Sequence, residues 1–300
     1  MKIVNVVGGL GSQMMAYSLY LALEKAYPNE KVICDFTAYH KYHRIDHNGS
    51  ELKRVFGVKE DCLPIHLAPI IHSQRLFPRV VRKFFSLSGV IKHHDAIREK
   101  YNYDKNVFYL NGTYIYHQCW TSWKYFLGVE KKMLEIFKFR PIKDRRNIET
   151  QKRMLSENSV SIHVRRGDYI GNSVLGGLID IDYYRRAIEI IFQNISNPHF
   201  FIFSDDPDWV TNILAKEIQA STTQINWNKD CDSYLDMQLM ASCRHHIIPN
   251  SSFSWWGAYL AKSEGQLVVA PKYWSNHSSG IELKDMNLPD WVVIENRKAP

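Results

Sequence analysis

From residue 160 onward the chain alternates short apolar runs with longer amphipathic stretches, and this alternation limits the fold more than any other feature. Residues 160–164, 200–203, 246–248 and 267–270 have the length and composition of strands, the last ending at Pro271. Between them, residues 182–195, 209–218, 234–242 and 253–261 keep helical spacing. Strands joined by helices of this length run parallel, because the crossover returns the chain to the same end of the sheet. Each apolar run ends in polar residues: Arg165-Arg166-Gly167-Asp168, Ser204-Asp205-Asp206 and Asn250-Ser251-Ser252. A parallel sheet brings such ends to one edge, where open α/β sheets take their ligands.

The residue types at that edge fit a nucleoside diphosphate. Two guanidiniums cannot be buried without anionic partners, and Arg165 has the fork that matches phosphate oxygens. Ser251 and Ser252 open a helix whose dipole favours the same anion, and their plainer use is as helix caps. Asp205 or Asp206 has the paired acceptors that guanine's two adjacent N–H donors require, although an Asp before Pro207 also starts turns. Asp168 is a candidate general base, with Asp180 and Asp182 behind it, or else a structural partner of Arg165 or Arg166. Asp180-x-Asp182, Asp206-x-Asp208 and Asp230-x-Asp232 have the spacing of some divalent-cation sites. Aspartates this abundant produce such spacings by chance, and two arginines already supply fixed positive charge. No metal is expected.

The N-terminal half starts in a related way. Residues 2–7 read as a strand, Gly8-Gly9-Leu10-Gly11 as a tight turn, Ser12 as a helix N-cap and residues 13–27 as a helix. Backbone N–H groups at such a turn suit an anion. Gly9 and Gly11 form only part of a dinucleotide fingerprint, since Met14 stands where the third glycine belongs. Residues 32–36 are a second strand, with Asp35 at its end as a possible ribose partner. Residues 38–111 are hard to read. Within them, residues 76–85 interleave Arg79, Arg82 and Lys83 with apolar residues, either as a solvated helix face or as a helix lying on a membrane. Residues 107–112 look like a strand. Tyr114, Tyr116, Trp120, Trp123, Tyr125 and Phe126 read as core before sugar-stacking wall, and so do Trp255 and Trp256.

Periodicity lapses near Arg140-Pro141 and the charged run at 143–149, which sets two lobes at residues 1–150 and 151–300. The net charge of +7 calls for an anionic partner. Dispersed charges and the lack of a nucleic-acid motif argue against DNA or RNA, leaving a phosphate- or nucleic-acid-binding module as the weaker alternative to an enzyme. Five cysteines without a C-x-x-C pair fit free thiols in a reducing cytoplasm. No signal peptide or membrane span is expected from the sequence.

Taken together, His163-Val164-Arg165-Arg166-Gly167-Asp168 resembles the H-x-R-R-x-D motif of fucosyltransferases that use GDP-fucose. Gly8-Gly9-Leu10-Gly11-Ser12-Gln13-Met14 is similar to the G-G-L-G-N-Q-M of glycosyltransferase family 11, the α-1,2-fucosyltransferases. Phe203-Ser204-Asp205-Asp206 and Asn250-Ser251-Ser252-Phe253-Ser254-Trp255-Trp256-Gly257-Ala258 resemble that family's later motifs. The resemblance implies a GT-B-like α/β fold of two Rossmann-like lobes with a cleft between them, the N-terminal one binding acceptor and the C-terminal one GDP-fucose. It implies metal-free inverting transfer of L-fucose to a galactose 2-hydroxyl, as in O-antigen or capsule biosynthesis. GDP-fucose is then the donor substrate and no cofactor is expected. The acceptor is a galactose-terminated oligosaccharide or lipid-linked glycan; the cysteines and the basic stretch at 76–85 set the expected location as cytoplasmic, with peripheral contact at the inner face of the membrane as the alternative. Arg165 would hold the β-phosphate, with His163 and Arg166 ordering the motif. Asp205, with Asp206 beside it, would read guanine; Ser251 and Ser252 would line the diphosphate, and Gly9, Gly11, Ser12 and Gln13 would complete the substrate site. Ser12 departs from the family's Asn, which leaves another GDP-linked sugar or another linkage as the alternative.

Overall fold

The computed structural model describes residues 1–42, 48–64, 66–73, 75–96, 100–261 and 263–296. The chain divides into two compact units, Met1–Arg140 and Pro141–Pro300. The helix Arg145–Ser156 therefore belongs to the second unit, although the sequence reading had ended the first lobe at residue 150.

In the first unit β1 (Lys2–Asn5), β2 (Val32–Asp35), β3 (Ile91–Asp95) and β4 (Thr113–His117) form a parallel sheet in the order β2-β1-β4-β3. Ile3, Ile33, Ile91 and Ile115, one from each strand, pack with Leu63 and Ile71 on one face. Helix α1 (Leu10–Ala26) follows β1, and α2 (Leu76–Leu87) precedes β3. The strand expected at residues 107–112 is instead a 3-10 turn, Lys105–Phe108. Asp104 starts that turn by accepting a hydrogen bond from the Asn106 N–H, and Gly112 at φ +97° breaks the extended run before β4 begins. Tyr116, Trp120, Tyr125 and Phe126 are buried, as core residues.

The second unit holds β5 (Ser159–Val164), β6 (His199–Ser204), β7 (Thr222–Ile225), β8 (His245–Ile247), β9 (Val268–Pro271) and β10 (Val292–Ile294). They form a parallel sheet in the order β10-β9-β8-β5-β6-β7. Helices α3 (Arg145–Ser156), α4 (Ile181–Asn194), α5 (Pro207–Asn212), α6 (Tyr234–Met240) and α7 (Ser252–Ala261) cross between or flank the strands. Strand β5 is buried along its whole length, as a central strand covered on both faces must be. Val160, Ile162 and Val164 meet Tyr183, Ala187 and Ile191 of α4, while Phe201 and Phe203 of β6 pack against Leu239 and Met240. Gly257 lets α7 close on α6, since a Cβ there would stand 2.8 Å from the Met240 Cβ.

The helix read at residues 209–218 is shorter: α5 begins at Pro207, ends at Asn212 and gives way to a 3-10 turn at Leu214–Glu217. The order β8-β5-β6 brings the three polar strand ends side by side. No described helix is long and apolar enough to cross a membrane.

Candidate active site

Backbone geometry presents the two arginines differently. Both follow the last residue of β5, and the Arg166 N–H donates to Asp205 Oδ1 at 2.8 Å, clasping the β5 and β6 loops together. Gly167 permits this approach, because a Cβ there would lie 3.0 Å from Asp205 Oδ2. Arg166 turns toward α5: its Nε donates to Asp206 Oδ2 at 2.9 Å and its guanidinium lies 4.7 Å from the Trp209 ring centre. Arg165 turns the other way, with Nε 2.7 Å from Asp168 Oδ1 and Nη1 3.2 Å from Asp205 Oδ2. Its side chain is 28% exposed, enough to meet a ligand while held. Burial opposes the Arg165 charge, and the Asp168 hydrogen bond with the Asp205 charge more than offsets that opposition.

The carboxylates have definite tasks in this edge. Both Asp205 oxygens already meet the arginine loop, Oδ1 through the Arg166 N–H and Oδ2 through Arg165 Nη1, while the side chain stays 25% exposed. Asp206 caps α5 by accepting from the Trp209 N–H at 3.1 Å, and the Arg166 hydrogen bond, followed by that cap, holds its carboxyl below the usual range. Asp168, 46% exposed, is paired with Arg165.

Behind the arginines, His163 is 5% exposed, and burial pushes its pKa down to about 3, with the Arg165 charge adding to the effect. The ring is neutral, and its Nδ1 has no hydrogen-bond partner. Tyr184 donates to the His163 carbonyl at 2.9 Å, fixing the end of β5. After β8, Ser251 is buried and Ser252 partly exposed, at the start of α7. Tyr169 ties this loop to the arginine loop: its hydroxyl donates to the Asn250 carbonyl at 3.1 Å, and burial pushes its pKa up to about 12. Trp255 and Trp256 are buried completely. The sequence motifs assign no site role to Tyr169 or Trp209, for which an aromatic just beyond a strand-end motif is the available signal.

The glycine turn belongs to the first unit. Gly8 takes φ +80°, and α1 starts at Leu10 with Gly9 as its N-cap, making no side-chain cap. Ser12 is therefore inside the first turn and not the cap expected from sequence; the extended Gly9 occupies that position. Gln13 is fully buried, with Nε2 donating to the Gly8 and Gly49 carbonyls at 2.9 and 2.7 Å and Oε1 accepting from the Glu51 N–H at 2.9 Å. Its amide thus shapes the turn instead of facing a substrate. Gly11 is buried too, while Gly9 and Ser12 are partly exposed. Asp35, considered for a ribose, is fully buried and meets His72 Nε2 at 2.7 Å and the Thr37 N–H at 3.0 Å. Those partners remove it from any ribose role.

Among the described residues no group of three or more His, Cys, Asp or Glu is placed to hold a metal ion. In the first D-x-D pair, Asp180 caps α4 through the Tyr183 N–H, and Asp182 pairs with Arg185 at 2.7 Å.

The family model described as glycosyl transferase family 11 matches residues 49–295. An α-1,2-colitosyltransferase of Escherichia coli is 31% identical over 311 residues, covering 98% of this chain and 98% of that one. Human galactoside α-(1,2)-fucosyltransferase 1 is 27% identical over 150 residues, 47% of this chain and 40% of its own length. Among solved structures, the α-1,6-fucosyltransferase NodZ, a protein of Bradyrhizobium, in a crystal soaked with GDP-fucose, aligns with a TM-score of 0.51 at 12% identity. That alignment covers 86% of this chain and 91% of NodZ and supports a GT-B-like α/β fold.

Proposed function

Because the chain belongs to glycosyltransferase family 11, we propose that it transfers L-fucose from GDP-fucose, with inversion, to the 2-hydroxyl of a galactose-terminated glycan. The observation that carries this reading is Arg165, partly exposed at the β5 edge and held by two carboxylates. In the reaction the acceptor hydroxyl oxygen attacks the anomeric carbon as the bond from that carbon to the β-phosphate oxygen breaks, and the hydroxyl proton passes to water or to the departing diphosphate. The GDP that leaves gathers negative charge, and preorganised donors at the place where charge develops are among the largest contributors to catalysis. Arg165 supplies those donors once a phosphate displaces Asp168. Such exposed ion pairs contribute only about 1 kcal/mol or less, so the exchange is inexpensive. Asp168 then keeps the guanidinium aligned in the free enzyme, and Ser251 and Ser252 lie where α7 favours an anion. We place the reaction on fixed positive charge without a metal ion, so transfer is expected to survive excess EDTA. Cytoplasmic location fits the five free cysteines.

A relative that covers 98% of this chain is named for colitose, which favours a second donor, GDP-colitose, whose sugar lacks fucose's 3-hydroxyl. A pocket built to hydrogen-bond that hydroxyl rejects the deoxy sugar by roughly 10⁴–10⁵-fold, whereas one without such a partner accepts both. Measuring kcat/KM with the two donors on lactose, with NMR of the product linkage, separates these outcomes. Turnover of GDP-fucose into an α-1,2 product supports the proposal. Turnover of GDP-colitose alone moves it to the second reading, and turnover of neither donor, with no melting shift by GDP over UDP and ADP, overturns both.

A further inference from the structure

Helix α2 has more apolar surface in water than any use of it inside the first unit explains. Leu76 is 77% exposed, Phe77 78%, Phe84 67% and Leu87 79%, with Val80 also exposed. At about 100° per residue these five side chains fall within a single sector roughly 100° wide. Pro78, Val81 and Phe85 occupy the opposite side, are only partly exposed, and Phe85 packs on the cluster that contains Ile71 and Ile91. The remaining flank carries Arg75, Arg79, Arg82 and Lys83, and the helix contains no acidic residue. Among the described residues no carboxylate pairs with Arg75, Arg79 or Lys83. Arg82 fastens the helix to the short helix Ala68–His72 by donating to the Ile71 carbonyl at 2.6 Å and the Ile70 carbonyl at 3.3 Å. Between the helix and the sheet edge lies a groove of about 750 Å³, where Arg79, Arg82 and Lys83 meet Leu76, Val80 and Leu87 of the apolar stripe.

Three faces with three characters restrict the occupant. The base is already packed, so the exposed apolar stripe seeks a second apolar phase, and the cations beside it seek anions at the boundary of that phase. A second copy of the helix, packed by two-fold symmetry across this stripe, would set cationic flanks near one another without acidic residues to offset them. An acidic bilayer satisfies both surfaces together. Acyl chains receive the apolar residues, and headgroup phosphates receive the arginines and lysine, as interfacial helices require.

We propose that α2 is a membrane-docking helix that lies in the interface of an anionic phospholipid bilayer, with headgroup phosphates at the cationic groove. The assignment stands on α2 alone and does not depend on which sugar the protein transfers.

Cosedimentation of the full chain with vesicles tests it. Binding is expected to vesicles of equal parts phosphatidylglycerol and phosphatidylcholine, with little binding to phosphatidylcholine alone, and to weaken as salt is raised. Phe77→Ser combined with Phe84→Ser is expected to lower the partition coefficient at least about tenfold, from the apolar area no longer buried. Arg79→Ala and Lys83→Ala should each lower it about fivefold. All three variants should keep the melting temperature and the turnover of a soluble acceptor, since these side chains are exposed. Absence of binding to the acidic vesicles, equal binding to neutral ones, or variants that bind like the wild type would overturn the assignment. So would a protein that ignores vesicles and sediments as a dimer dissociated by the double serine variant, which would give the stripe to a second copy.

Discussion

Strands β2 and β5 both deliver charge to the C-terminal edge of a parallel sheet, and their surroundings then diverge. Asp35 at the end of β2 is shut away, with His72 and the Thr37 N–H as its partners. Arg165 beyond β5 is held by Asp168 and Asp205, whose side chains are 46% and 25% exposed and can be displaced by a stronger anion. A charge with buried partners contributes to architecture, while a charge with exposed, replaceable partners is ready for a ligand. The same contrast separates Gln13, whose amide is consumed by three backbone groups, from Ser12 beside it. One edge is closed by its own chain, and the other keeps its ion pairs open to exchange.

If that contrast holds, substitutions at the β5 edge should alter rate at nearly constant stability, and those at the β1 turn should do the reverse. The largest effect is expected for Arg165→Ala, which should lower kcat by on the order of 10²–10³-fold while chemical denaturation is nearly unchanged. Near-normal turnover would remove the distinction. Next in size, Gln13→Ala leaves the Gly49 carbonyl and the Glu51 N–H without their partner. It should cost about 2–3 kcal/mol in a urea melt, with turnover of the protein that remains folded little affected. Gly167→Ala places a Cβ against Asp205, and a shift of a few tenths of an ångström in the carboxylate that holds both arginines should lower kcat/KM about tenfold. Unchanged kinetics would mean that the clasp between the β5 and β6 loops is irrelevant to transfer. The smallest change is expected for Asp168→Asn, where GDP should bind a few-fold tighter by isothermal titration calorimetry, because its competitor for Arg165 is weakened. A drop in kcat of a hundredfold or more in that variant would instead make Asp168 the general base.

Much of the second unit was legible because its strands are apolar, its helices are of ordinary length, and each strand ends abruptly in polar residues. Periodicity sufficed to align Arg165, Asp205 and Ser251 on one sheet edge. The tasks of those residues were less legible. Asp205 has the chemistry to read guanine, yet its oxygens meet groups from a loop 39 residues earlier in the chain, a pairing that local sequence cannot display. In the first unit β3 reads Ile-Lys-His-His-Asp, with one β-branched residue, and its strand character comes from pairing with β4. The turn at Asp104 similarly overrode the strand-like run after it. The basic amphipathic character of α2 was visible in sequence, but only the structure distinguishes its packed base from the apolar stripe left in water.

The most direct test of the account is a crystal structure of the protein with GDP. The expected result has Arg165 Nη atoms within hydrogen-bond distance of β-phosphate oxygens, the Arg165–Asp168 contact broken, and Arg166 still bound to Asp206. GDP bound away from the β5 edge, with Arg165 still clamped by Asp168, would contradict it.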